Sequence, residues 1–406
     1  MNHILGFYTQ AKMVLRQREH LLEQVSLIFV RSYIRMIGIL PRKWSEEHVY
    51  YSLAHTLVIA MSAMFIVTVA CDLYEARQNL TLLGDDIVVI IGGSLIMLKI
   101  YFHGQHSSEI HPIVDKLNDL HKMFAEYNGR SRLKIKRLQC SFYLFEVFAF
   151  SFYIFLIVLF VTAVMVPPLL THHGLPYRAH FPILRWENSD QHPTGFAIAY
   201  IFQVFWTFHA LLSIVCMDIL ACGIFLQTAL NLKILCIRLR EISAQNVEER
   251  ESLDELKSLI KIHQYIINLI ENINACYYLN YVAQMGASTF MICLTAFEAL
   301  LAQDRPMIAI KFEIYMLSAF LQLLYWCCAG NLVFFESLHV ADAAYEIPLW
   351  YTRSKEFKMT VAFLIRRAQK PLQFRPSPLY GFNIKTFTSI LSTSYSYFAL
   401  LCTMNK

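Results

Sequence analysis

Seven runs of about 20 apolar residues constrain this chain more than any other feature in it. A helix rises 1.5 Å per residue, so each run crosses a hydrocarbon core of roughly 30 Å with its backbone polar groups satisfied internally. The runs lie at about 49–71 (S1), 82–103 (S2), 140–166 (S3), 196–222 (S4), 277–302 (S5), 311–336 (S6) and 382–402 (S7). S2 is the least clear of them, because Asp85 and Asp86 stand at its start. Composition agrees. The 406 residues are 56% hydrophobic and 16% charged, against about 45–50% and 25% in soluble domains. The expected fold class is all-α, a seven-transmembrane-helix membrane protein. The opening MNHILGFYTQAKMVLRQREH has neither a compact apolar core nor a small-residue cleavage site, so it does not read as a cleavable signal.

Basic residues set the expected orientation. They crowd the N-terminal segment (Lys12, Arg16, Arg18, Arg31, Arg35, Arg42, Lys43), the S2–S3 loop (from Lys116 to Arg137), the S4–S5 loop (from Lys233 to Lys261) and the S6–S7 loop (from Arg353 to Arg375). The alternate loops hold only Arg77, Arg178, Arg185 and Arg305. The positive-inside bias therefore predicts the N-terminus inside and the C-terminus outside. The net charge of +5 is accounted for by those loops and calls for no nucleic-acid partner. The one N-x-S/T sequon, at Asn79, falls on the S1–S2 loop assigned to the outside, which makes Asn79 a glycosylation candidate. G-protein-coupled receptors share the span count but have the opposite orientation. Here the S3–S4 loop has no cysteine, S7 has no NPxxY, and no D/E-R-Y follows S3.

Enzyme chemistry finds little support. The ten cysteines form no CxxC pair, so neither a disulfide framework nor a zinc site is indicated. His103, His106 and His111 stand near the inner end of S2, but no HxxHH follows, and His172-His173 lies on the other side. A metal-dependent membrane enzyme is thus the least favoured reading, and neither a metal nor a cofactor is expected. Glu146, Asp218, Glu298 and Glu313 are candidate intramembrane carboxylates, each near enough to a span end to reach the interface.

Three stretches on the basic side are amphipathic. S4 continues inward through DILACGIFLQTALNLKILCIRLREI with Gly223 as its only breaker. Leu253, Leu256, Ile260, Ile267, Ile270 and Ile273 share one helical face. Phe357, Val361, Leu364, Ile365 and Ala368 form another stripe, closed off by Pro371, Pro376 and Pro378. Such helices lie on the membrane surface or pack into a bundle, and periodicity does not choose between the two.

S7 carries Thr388, Ser389, Ser392, Thr393, Ser394 and Ser396 within nine residues. Lys385, Ser389, Ser392, Ser396, Leu400 (or Ala399) and Thr403 share one face, opposite Phe387, Ile390, Leu391, Phe398 and Leu401. Small hydroxyls permit close helix packing and back-bond to the preceding turn. Several copies around an axis would alternatively form a wet pore wall with Leu400 as an apolar gate.

The run SILSTSYSYFALL resembles the C-terminal signature of insect odorant receptors, and YWCCAGNLVFFESLHVADAAYEIPLWY resembles their S6 region, with Gly330, Asn331, Ser337, Tyr345 and Trp350 at the matching positions. These motifs are confined to about residues 325–406. The resemblance implies a tuning subunit of a heterotetrameric, odorant-gated, non-selective cation channel, partnered by the odorant co-receptor in the plasma membrane of olfactory sensory neurons. It implies pore positions at Lys385, Ser392, Ser396, Leu400 and Thr403. Thr403 stands where co-receptor and gustatory relatives tend to have Gln, which favours an odorant-tuned subunit over a gustatory-type channel. It also implies a pocket for a small apolar volatile in the outer half of S2, S3, S4 and S6. Depth and face offer Ile87, Ile91, Phe150, Tyr153, Ile157, Tyr200, Val204, Phe208, Tyr315, Ala319 and Phe320 for it. The implied organisation is a cytoplasmic N-terminal segment (1–48), an S1–S4 ligand-binding bundle (49–222), cytoplasmic helices (223–276), S5–S6 (277–336), a cytoplasmic anchor helix and turn (337–381) and the S7 pore helix (382–406).

Overall fold

A computed structural model of the chain describes residues 48–404 apart from 78, 126–129, 172–173, 182–185, 188–189, 243–248 and 376–379. The N-terminal segment up to residue 47, His172-His173, Pro376 and Pro378 lie outside the described residues. Among the described residues, nine α-helices follow in order: α1 (His48–Ala76), α2 (Leu80–Gln105), α3 (Ser107–Ala125), α4 (Arg132–Thr171), α5 (Pro193–Arg240), α6 (Glu249–Leu301), α7 (Pro306–Tyr345), α8 (Lys355–Ala368) and α9 (Ile384–Met404). Among the described residues there is no β-strand, so the fold is all-α.

Helices α1, α2, α4, α5, α6 and α7 are long and apolar enough to cross a membrane. They correspond to S1–S6, and α9 is the seventh. It has 21 residues, and with its hydroxyls and Lys385 it has no stretch as apolar as the most apolar stretch of each of the other six. Apolar side chains on the outer faces, such as Leu57, Phe148, Phe155, Ile201 and Phe205, stay exposed, as lipid-facing residues do.

Several helices outrun the bilayer. With 48 and 53 residues, α5 and α6 reach on the order of 70–80 Å. Their surplus forms a second bundle at the end bearing α8, here termed the base. From Leu212 to Leu239 α5 is buried almost all round, with α4, α6 and α7 among the helices packed on it, and α8 packs on α7 and α6. The stripes on α6 and α8 face this core: Leu256, Ile267, Ile270 and Ile273 are buried, as are Phe357, Val361, Leu364 and Ala368. Bundle packing, not surface binding, uses those faces. Ser354 caps α8 by accepting from the Phe357 amide at 3.3 Å.

A segment read as loop is helical. In α3, Ile110, Ile113, Leu117, Leu120 and Phe124 recur every three or four residues and are all buried. Its 19 residues are too polar to span, so they pack as an amphipathic helix against α5 and α6.

The strap joining α8 to α9 is pinned to the base. Asn274 donates to the Gln373 carbonyl (2.9 Å) and accepts from the Arg375 amide (3.1 Å). Ser337 accepts from the Leu372 amide at 2.9 Å. Phe374 stacks on Phe225 with centroids 3.8 Å apart, and Phe382 N–H bonds the Phe374 carbonyl. A Cβ at Gly330 would come 2.3 Å from the Phe382 carbonyl oxygen, so only glycine lets α7 approach the start of α9 this closely.

Candidate functional site

The bundle encloses a cavity of about 180 Å³ between α2, α4, α5, α6 and α7, well above the base. Its wall is apolar. Val88, Val89 and Ile96 of α2, Leu156, Ile157 and Phe160 of α4, Ala210, Leu211 and Ile214 of α5, and Met291 of α6 supply most of it. Gly92 and Gly93 add no side chain. The Gly93 position lies 3.3 Å from Ile66 and 3.6 Å from Trp206, so α1, α2 and α5 close tightly there.

The roof is a loop that re-enters the bundle. After α4 the chain turns at Gly174, whose φ of +84° is a left-handed conformation suited to glycine. Residues 175–181 then fold onto α1 and α5. His180 N–H bonds the Thr68 carbonyl, and Arg178 pairs with Asp72 at 2.7 Å. Tyr177 drops into the cavity. Its ring sits edge-on to Phe65 at 5.4 Å, and Phe65 stacks on Trp206 at 3.5 Å.

The floor is charged. Lys99 of α2 donates to Asp218 of α5, which also accepts from Gln322 of α7. The Lys99 ammonium lies 5.2 Å from the Trp326 ring. Both charged side chains are 1% exposed. A full desolvation of two charges is tolerated only because each has its partners. Asp218 therefore does not reach the interface. Glu146, which accepts from Gln227 at 2.9 Å, and Glu298 are likewise buried within the bundle, while Glu313 is exposed. At the start of α2, Asp85 pairs with Lys311 at 2.8 Å, which explains how that acidic turn sits in an apolar helix. The hydroxyl of Tyr153 is buried on the cavity wall without a hydrogen-bond partner. It is a donor available to a ligand.

Of the residues expected in the pocket, Tyr153, Ile157, Tyr315 and Ala319 line the cavity. Ile87, Ile91, Phe150, Tyr200, Val204, Phe208 and Phe320 do not. Ile87 and Ile91 fall one position off the lining face. Tyr200 instead bonds the Met165 carbonyl at 2.6 Å, and Phe320 sits edge-on to Phe387 at 5.2 Å. Phe208, 55% exposed, shares an outward face with Ile201 and Phe205. Sequence reasoning missed Tyr177, the floor of Asp218 and Gln322, the Lys99 that pairs with Asp218 behind it, and the α6 wall of Ala287, Ser288 and Met291.

On α9 the two faces separate as spacing predicts. Lys385, Ser389, Ser392, Ser396, Leu400 and Thr403 are exposed, and Thr386, Phe387 and Ser394 are buried. Ser396 back-bonds to the Ser392 carbonyl (2.9 Å) and Thr403 to that of Leu400 (2.7 Å). Ser394, on the other face, donates to the Thr289 carbonyl of α6 at 3.1 Å. The hydroxyl stripe is thus not spent on packing within the chain.

Among the described residues, the histidines near the end of α2 form no box. His103 is buried, with its ring Nδ1 2.9 Å from the Lys99 carbonyl and its face against Tyr277. The side chain of His111 lies outside the described residues.

A family model described as 7tm Odorant receptor matches residues 79–395. The chain belongs to the odorant receptor family. Odorant receptor 47b of Drosophila melanogaster is 31% identical over 402 residues, covering 97% of this chain and 95% of that protein. Odorant receptor 65a of the same species is 27% identical over 353 residues, covering 86% and 83%. The fold matches that of the insect olfactory receptor OR5 from Machilis hrabei, solved in complex with eugenol. The TM-score is 0.76 over 93% of this chain and 99% of that one, at 17% identity. This odorant receptor is therefore a multi-pass membrane receptor and not an enzyme. The motif residues of the odorant receptor act at the base: Gly330 admits α9, Ser337 holds the strap, and Trp350 bonds the Tyr345 carbonyl at 3.0 Å.

Proposed function

We propose that this odorant receptor is a tuning subunit of a ligand-gated, non-selective cation channel, assembled as a heterotetramer with the odorant co-receptor in the plasma membrane of olfactory sensory neurons. A small, largely apolar volatile binds in the cavity beneath Tyr177. The observation that carries this reading is the apolar cavity with only two unpartnered buried hydroxyls among its described lining residues, those of Tyr153 and Tyr315. Such a site rewards shape and apolar surface and fixes orientation with few polar contacts. The eugenol complex of Machilis OR5 supports a small-molecule ligand for this fold.

The channel part of the proposal rests on α9. Its exposed stripe has no partner helix within the chain among the described residues, and one helix cannot enclose a pore. Copies of α9 around an axis would put Lys385, Ser392, Ser396, Leu400 and Thr403 on the conduction path, with Leu400 as the apolar constriction. In this reading the base is cytoplasmic, the C-terminus is outside, and Asn79, on the exposed α1–α2 turn, is open to glycosylation.

The deciding experiment is co-expression with an odorant co-receptor, an odorant panel, and current recording under G-protein blockade. Odorant-evoked cation current that survives the blockade is expected. Surface-expressed receptor that stays silent across a broad panel would sink the proposal.

A further inference from the structure

We propose that His106, Glu109 and Cys276 form a zinc site at the elbow between α2 and α3. His106 Nδ1, a Glu109 carboxylate oxygen and Cys276 Sγ all lie within 4.8 Å of one another. The His106 nitrogen and the Glu109 oxygen are 3.4 Å apart. Imidazole, carboxylate and thiolate are the three side-chain ligand types of zinc, and three protein ligands leave a fourth tetrahedral position for water. With bonds of about 2.0–2.3 Å, tetrahedral ligand atoms stand roughly 3.3–3.8 Å apart, so a small rotation of Glu109 closes the set. That side chain is 58% exposed, so no packed neighbour has to move for it to rotate.

The site is preorganised at the backbone. His106 ends α2 through its N–H to the Phe102 carbonyl (3.0 Å). Its own carbonyl accepts from the Glu109 and Ile110 amides, both at 3.0 Å, to begin α3. Glu109 thus stands one helical turn beyond His106 on the same face. Cys276 comes from α6, which the His103–Tyr277 ring contact holds against α2 at 5.4 Å. His106 Nδ1 is turned toward the Glu109 carboxylate and makes no hydrogen bond to another group, so its lone pair is aimed into the cluster. The ion would tie the α2–α3 elbow to α6, the helix on which α9 packs.

The test uses full-length receptor purified in nanodiscs, with zinc chloride as the probe. Wild type is expected to bind zinc stoichiometrically and to melt at a higher temperature in its presence. Glu109→Gln and Cys276→Ser should each weaken zinc binding at least about tenfold, as loss of even supporting groups does elsewhere. Cys140→Ser, which removes an exposed thiol, should change nothing. Cobalt replacing zinc should give a thiolate-to-metal charge-transfer band in wild type, a readout that needs no variant to fold. Zinc binding that is absent from wild type or unchanged in both variants would overturn the site, as would cobalt binding without the thiolate band.

Discussion

The side-chain amide of Gln203 holds the backbone of Tyr177 at both ends, accepting from its N–H and donating to its carbonyl, each at 3.0 Å. Gln203 is buried on α5, 26 residues beyond the loop that it pins. One side chain thereby satisfies both backbone groups of the residue that roofs the cavity.

Gln203→Leu should therefore release the roof without emptying the cavity. It strands two buried backbone groups at about 1–3 kcal/mol each. The odorant concentration for half-maximal current should rise about tenfold or more, with surface expression retained. An unchanged dose–response curve would show that the loop does not need the clamp.

The floor predicts a stability result. Lys99→Met or Asp218→Leu alone leaves a buried charge unpaired and should cost about 3–5 kcal/mol. The double variant, with neither charge, should recover most of the loss. Thermal melting of the purified receptor and its surface expression give both comparisons.

Cavity volume separates wall from lipid face. Ala319→Phe fills part of about 180 Å³ and should abolish odorant responses at normal surface level. Phe208→Ala, on the outward face, should leave the dose–response curve within about twofold, because truncating a residue already half in lipid removes little packing.

Gly330→Ala tests the seat of α9. A methyl 2.3 Å from the Phe382 oxygen must push the strap aside, at about 1–3 kcal/mol for overpacking. Reduced surface expression and a lowered melting temperature are expected.

If the stripe on α9 lines a conduction path, Thr403→Arg should place a positive charge in it and cut cation permeability. The reversal potential in sodium-free external solution reports the change. A value identical to wild type would remove Thr403 from the path.

Most of the fold was legible in the sequence. Long apolar runs report spans because unsatisfied backbone cannot sit in lipid. The stripes on α6 and α8 report a buried face because polar residues flank them. By the same rule Ile110, Ile113, Leu117, Leu120 and Phe124 signalled α3, but a search for apolar runs passes over so polar a helix. The pocket was harder to read. Successive helical residues turn by 100°, so choosing Ile87 and Ile91 in place of Val88 and Gly92 turns the helix off the cavity. Phe208 shows the deeper difficulty. In a membrane the outer face is as apolar as the core, and hydrophobicity does not tell them apart.

The sequence by itself determined the spans, the family signature and the hydroxyl stripe of α9, because each is written in the spacing of neighbouring residues. The tertiary structure decided which faces meet. Lys99 finds Asp218, Tyr177 finds Gln203, and Cys276 finds His106 and Glu109 only when helices far apart in the chain pack together. The physical reason is that a buried charge, a roofing loop or a metal site is made of complementary groups, and complementarity is a property of the packed bundle.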